Sequence, residues 1–370
     1  MIVTMSTFCL TLHAGYRCRH TGECCRNWTV SAEPHVRAAV ETLQIRRSGF
    51  TGALFVPAAT DEEQFSIARN ADGSCAFFDR DRGRLCVIHE SAGPDALPTA
   101  CRHFPRMILR DARGVFISLS HFCPTAAAML LAPDPLEIVE AGPPLQLQEP
   151  MEGMSALGAL PPLVRPGVLS DLEGYAAWER ACLAVFARPE LGSQEALDCV
   201  ADATERVRGW RPGTCSLTEQ VDTAFREARH ERRADPLAHD RALQTLRSLS
   251  NVDARDDLPD IDRFEEQWRR LFGPAPEQFD RAMKNFLAAR VFGNWIAYQG
   301  RGLRSIVEWL RTCAAAVRHH ALRKALALQS APGGHELVEA FRVSDLLLLH
   351  VIDTQAFARL AMPLEEPEPR

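Results

Sequence analysis

Lysine is almost missing from this chain: all but two of its 42 basic side chains are arginines, the exceptions being Lys284 and Lys324. That skew looks like the codon bias of a GC-rich bacterial genome, so an arginine beside a motif says less here than elsewhere. A polybasic arm is missing too. The formal charge of -6 is spread along the sequence, which leaves no electrostatic footprint for nucleic acid and removes it from the expected partners. No apolar run approaches the ~18 residues of a membrane span, and residues 1–15, MIVTMSTFCLTLHAG, lack the positive start and small-residue cleavage site of a signal peptide. A cytoplasmic protein with no membrane partner is expected. Absent as well are internal repeats, a strand leading into a glycine-rich nucleotide-binding turn, and the C-x3-C-x2-C run of radical enzymes. Gly300-Arg-Gly302 lies between helical segments and reads as a linker.

What is abundant is cysteine. Of twelve, Cys18, Cys24, Cys25, Cys75, Cys86, Cys101 and Cys123 crowd the first third, while Cys182, Cys199, Cys215 and Cys313 are scattered without ligand spacing and read as structural. Thiols at high density in a reducing compartment mark metal or redox chemistry rather than disulfides. The chain has 370 residues, 46% of them apolar, enough for a buried core and roughly two domains.

The expected fold is mainly α: a small irregular α+β cysteine-rich metal-binding domain over residues 1–132, then an all-helical domain over 167–362. Eight prolines between Ala132 and Pro166 make residues 133–166 a linker or surface arm, because proline removes donors and fixes φ. Beyond it, Ser170-Asp-Leu-Glu173 has the form of a capping box, Ser193 and Ser216 begin similar segments, and helical spacing recurs through Phe279–Arg290 and Leu303–Val317. Ser344-Asp345 opens or continues a final apolar helix. In the first third, CAFF (Cys75–Phe78) and LCVIH (Leu85–His89) flank DRDRGR as a small hairpin, Val115–Leu119 reads as a strand, and His121–Leu131 as a turn entering a helix with Pro124 in its first turn.

Four separate segments thus contribute thiols: the loop YRCRHTGECC, the hairpin ends at Cys75 and Cys86, PTACRHFPR around Cys101 and SLSHFCP around Cys123. Thiolate is the ligating form, and several buried thiolates are unfavourable together unless a metal neutralises them. Arg17, Arg19, Arg26, Arg102 and Arg106 flank these cysteines as candidate counter-charges; His20, His89, His103 and His121 lie close enough in sequence to complete a site, though each alone is better read as structural. Asp79, Asp81, Glu90 and Asp111 are acid/base candidates by sequence proximity only, with solvated turn carboxylates the plainer reading. Cys24 and Cys25 are also the pair for an alternative thiol-redox role.

The run of motifs, a cysteine loop ending in CC, C-x-F, G-x-L-C-x-I, P-x-x-C-R-x-F-P-R and S-L-S-x-x-C-P-x-A-A-x-x-L, resembles the zinc- or iron-chelating cysteine-cluster family (YkgJ type) over about residues 16–131. The length, proline-rich middle and helical tail with SDLLLLH (Ser344–His350) are similar to its longer branch, flagellin lysine N-methylase (FliB-like). That resemblance implies an iron–sulfur cluster, of 4Fe–4S type, or zinc, held by Cys18, Cys24, Cys25, Cys75, Cys86, Cys101 and Cys123. It further implies methyl transfer from S-adenosylmethionine to lysines of a protein substrate such as flagellin, against the alternative of a non-catalytic protein for metal storage, transfer or sensing. The family's first loop carries one more cysteine, for which this chain has none, with His20 as the candidate replacement.

Overall fold

The computed structural model describes residues 5–26, 29–45, 50–58, 61–79, 85–133, 135–143, 145, 153–229, 238–249, 258, 261–273 and 276–360. An N-terminal mixed α/β region is followed by a helical C-terminal region.

A five-stranded sheet holds the N-terminal region together, its strands being β1 (Thr7–Leu10), β6 (Arg106–Asp111), β7 (Gly114–Leu119), β8 (Ile138–Glu140) and β9 (Met154–Ser155) in the order β8-β1-β7-β6-β9. Two small hairpins lie between β1 and β6 in the chain: β2 (Phe55–Ala58) with β3 (Asp61–Ile67), and β4 (Phe78–Asp79) with β5 (Leu85–Cys86). Strand β7 is buried at every position, which is why GVFISL reads as an apolar run rather than an alternation. Its faces nevertheless divide. Phe116 joins Leu10 and Leu109 in the large core shared with the helices, whereas Ile117 and Leu119 serve smaller clusters on the other side. The β6–β7 turn needs a glycine, because Gly114 has φ 150° and a Cβ there would stand 2.7 Å from the Ser6 carbonyl oxygen.

Several sequence expectations change here. Residues 133–166 supply both edge strands, β8 pairing with β1 and β9 with β6, so this stretch is hydrogen-bonded into the sheet. Pro144 and Pro150 lie outside the described residues. Ser170 does not cap a helix: its hydroxyl donates to the Pro162 carbonyl, and Asp171 takes the cap by accepting from Gly174 N. An aspartate reaches the free first-turn amides as well as a serine does, and the proline-rich strand claims the serine. Ser216 caps its helix as expected, with Glu219 reciprocating. The hairpin is present, yet LCVIH stays extended only through Cys86 and becomes helical from Val87 to Ala92. The helix carrying Ser344-Asp345 begins earlier, at Gly334, and ends in a π-turn over Leu347–Val351. Cys182, Cys199 and Cys313 are buried, but Cys215 is exposed on a loop.

The 26-residue helix Leu303–Leu328 is buried on most of its circumference and is the hub of the helical array. Helix Glu277–Val291 lies between this array and the sheet: Ser118 Oγ donates to the Ala289 carbonyl and Phe116 meets Phe292 edge-on. Two buried ionic joints hold sheet to helices. In one, Arg113 bridges Asp111 at 2.8 Å and Glu179 at 3.1 Å, with Tyr298 OH donating to Asp111 at 2.7 Å. Asp111 is therefore a buried partner of Arg113 and Tyr298 and not a solvated turn residue; burial pushes the Glu179 carboxyl up and Arg113 pulls it back. In the other, Arg290 pairs with Asp345 at 2.9 Å, both almost wholly buried. Removing one partner of such a pair strands the other's charge. Asp345→Asn should accordingly cost about 3–5 kcal/mol in denaturant unfolding, while Arg290→Met/Asp345→Leu together should cost less than the single change. A double variant weaker than Asp345→Asn would contradict the pair's role as a joint.

Candidate metal centre

The first cysteine loop is shaped by its backbone. His20 has φ 50° and its amide donates to Cys18 Sγ at 3.4 Å. Gly22 follows with φ 73°, and a Cβ on it would lie 2.2 Å from the Phe78 ring, so only glycine lets this loop rest on the hairpin. A single 3-10 turn, Glu23–Cys25, then presents two adjacent cysteines, and Cys25 O accepts from Cys75 N at 2.9 Å. Loop and hairpin are thereby tied at two of the expected ligand positions.

The hairpin brings its own pair closer: Phe78 is registered opposite Cys86, and Val87 N donates to Phe77 O. Cys75 is braced by Asn70, whose Nδ2 donates to Cys75 O at 3.0 Å and to Ser74 Oγ at 2.9 Å. Cys101 sits in the short helix Thr99–His103, anchored where Thr99 N donates to Glu33 Oε1. Cys75, Cys86 and Cys101 pack against the apolar cluster of Val36, Phe77 and Ile88. Cys123 precedes the helix Pro124–Met129 and lies 3.6 Å from Tyr16 OH.

The electrostatics are those of thiols crowded together in a dry place. Burial pushes Cys75 up to about 11, with Cys86 adding to the shift. Burial likewise raises Cys101 well above the ordinary thiol value, and Cys75, Cys86 and Cys24 raise it further. Cys86 and Cys123 are raised by burial, while the amides at the start of their following helices pull each back. Between the adjacent pair the Cys25 thiol donates to Cys24, so Cys24 is lowered and Cys25 raised. All twelve cysteines are free.

Five of the seven expected ligands, Cys24, Cys25, Cys75, Cys86 and Cys101, thus act on one another, and Cys123 feels Cys24. Cys18 is exposed and acts on Tyr16. Among the described residues no three His, Cys, Asp or Glu side chains already stand as a coordination shell. Gathered thiols, of which burial holds Cys75, Cys86, Cys101 and Cys123 protonated, nonetheless fit a cation, which would replace the protons and neutralise the thiolates.

The remaining candidates distribute differently. His20 and His89 face each other with ring centroids 6.2 Å apart, and His103 is buried. His121 is committed to the helical joint: Arg290 Nη2 donates to its Nδ1 at 2.7 Å, so its Nε2 carries the proton and donates to His13 Nε2 at 3.1 Å. Burial, then Arg290, holds His121 well below the usual imidazole range and His13 at about 3, so both stay neutral. Arg17 and Arg19 are exposed and Arg26 stands 3.9 Å from Asp72; Arg106 donates to Leu145 O and acts electrostatically on Cys18 and Tyr16, so of the flanking arginines it meets the counter-charge expectation. Two further cations, distant in sequence, lower cluster thiols: Arg69 for Cys75 and Arg342 for Cys24. Asp79 is buried and Glu90 exposed; Asp81 lies outside the described residues. Sequence reasoning missed Tyr16, His13, Arg69 and Arg342, none of which carries a local signal beyond its residue type.

The site defines a class before it defines a member: a polythiol centre of the kind that binds soft or borderline metals. Consistently, residues 17–124 match the model of the CxxCxxCC family, described as a "putative zinc- or iron-chelating domain". Its pattern is met by Cys18, Cys24 and Cys25, and Thr21, beside His20, occupies the place of the second cysteine. No curated protein and no solved structure matches the chain. No helix among the described residues is long and apolar enough to cross a membrane.

Because the thiols are protonated near neutrality, ligation must expel their protons. Metal affinity should therefore rise with pH, by about one logarithmic unit per pH unit for each thiol deprotonated on binding. Chelator competition between pH 6 and 8.5 measures the slope, and a flat profile would exclude Cys75, Cys86 and Cys101 as ligands.

Proposed function

We propose that Cys18, Cys24, Cys25, Cys75, Cys86, Cys101 and Cys123 supply the ligands of a metal centre, an iron–sulfur cluster in preference to zinc. The observation that carries this reading is the convergence of thiols from three segments: Cys75 N donates to Cys25 O at 2.9 Å, Cys75 and Cys101 both raise the Cys25 thiol, and Cys75, Cys86 and Cys24 raise that of Cys101. A zinc site and a 4Fe–4S cluster each take four thiolates, so the seven thiols leave three over in either case, and the preference for a cluster comes from the family resemblance. When bound, such a group would supply a net-negative thiolate-ligated centre; the chain's own residues bind it, exclude water from it and set its charge.

The resemblance to flagellin lysine N-methylase extends the proposal to methyl transfer from S-adenosylmethionine to lysine ε-amines of a protein substrate. An ε-amine must lose its proton before it attacks a methyl group, which calls for a base beside the centre. Its support is the motif likeness, including Ser344, Asp345 and His350. The alternative, storage, transfer or sensing of iron or zinc without catalysis, requires only the thiols.

Protein purified without oxygen should contain iron and acid-labile sulfide in near-equal amounts and show broad thiolate-to-iron absorption. Colourless protein with stoichiometric zinc would reverse the order of metals, and protein devoid of metal after reconstitution would remove the centre altogether. Incubation with labelled S-adenosylmethionine and candidate flagellins should label lysines; transfer no greater than that of Cys101→Ser leaves the non-catalytic reading.

A further inference from the structure

The helix Gly334–Leu346 reaches across to the cysteine region and grips the backbone of one residue of it, Phe122, at both its amide and its carbonyl. Asp345 Oδ2 accepts from the amide of Phe122 at 3.2 Å, and Arg342 Nε donates to the carbonyl of the same residue at 3.0 Å. Arg342 and Asp345 are three residues apart and so share a helix face. The grip is reinforced by Ser120, whose hydroxyl bonds Asp345 Oδ2 and His350 Nε2, each at 2.9 Å. With its one proton on Asp345, the Ser120 oxygen accepts from a His350 protonated at Nε2. His350 also lies beside the rings of Phe104 and Phe122, on the loops that follow Cys101 and precede Cys123.

Within this clasp Arg342 has a distinct position. It pairs with Glu339 at 2.6 Å, lies with its guanidinium 5.5 Å from the Phe122 ring centre, and is only 11% exposed. Its charge stands one residue from Cys123 and within electrostatic reach of Cys24. Arg17 and Arg19, the neighbours of Cys18, are exposed to water and screened by it. We propose that Arg342 is the positioning cation of the thiolate centre, so that the helical region holds the Cys123 loop in place and offsets the centre's negative charge.

This inference rests on the metal-centre reading, and its test separates the two. Metal affinity is measured by chelator competition on wild-type protein, Arg342→Met, Arg342→Lys and Glu339→Gln, with the circular dichroism and denaturation midpoint of each apo-protein as the folding control. Loss of the cation should weaken binding about tenfold or more, as removal of an outer-shell partner does, and lysine should restore most of it. Glu339→Gln, which leaves the guanidinium uncancelled, should tighten binding about two- to fivefold. If the centre is iron–sulfur, its reduction potential should fall in Arg342→Met, because reduction adds negative charge. Equal affinity in wild type and Arg342→Met, or equal weakness in the lysine and methionine variants, overturns the proposal. Should Arg342→Met fail to fold, Glu339→Gln decides: tighter binding supports the role and unchanged binding ends it. Wild-type protein that takes no metal sinks both readings, whereas metal-loaded wild type with indifferent variants sinks this one alone.

Discussion

The buried pairing of Arg290 with Asp345 is the constraint around which the two regions meet. Two charges removed from water must pair with each other and draw further hydrogen-bond partners from the groups nearby. The surrounding partners follow from that demand: Leu119 O and His121 take Arg290, and Ser120 Oγ and the Phe122 amide take Asp345. All four lie in one stretch, Leu119–Phe122, that leaves β7 and runs into Cys123. A cysteine at the end of the N-terminal motif is thus held by groups from helices more than 160 residues further along.

This changes what the N-terminal motif region is. Its edge strands come from the proline-rich stretch after it, and residues of its sheet, Leu10, Leu109 and Phe116, lie in the same apolar core as Trp178, Phe286 and Leu310. The hairpin side, carrying Cys75, Cys86 and Cys101, has its own small cluster around Phe77 and Ile88. Cys123 belongs to the shared architecture and Cys75 to the local one. A metal joining them would therefore bridge a small self-packed unit and the main body.

Much of this was legible in the chain. The hairpin, β7, the helix entered through Pro124 and the Ser216 cap each depend on local chemistry, which a few neighbouring residues carry in full. The Ser170 cap was misread because a second claimant on its hydroxyl, Pro162 O, lies in the proline-rich stretch, just before the short strand Leu163–Arg165. Strand β1 was not recognised at all: TFCL is four residues long and identifiable only through its pairing with β7 and β8. Of the arginines beside the cysteines, Arg106 acts on Cys18 whereas Arg17 and Arg19 are exposed, because adjacency in sequence says nothing about which way a side chain turns.

By itself the sequence determined the density and residue type of the ligand candidates and the helical character of the second half, because cysteine spacing and apolar periodicity are properties of short stretches. Only the tertiary structure decided which thiols act on one another, that His121 serves a buried joint, and that Arg342 and Arg69, distant in sequence, face the thiols. Electrostatic effects depend on distance through space and on exclusion of water, and neither is encoded at any single position of the chain.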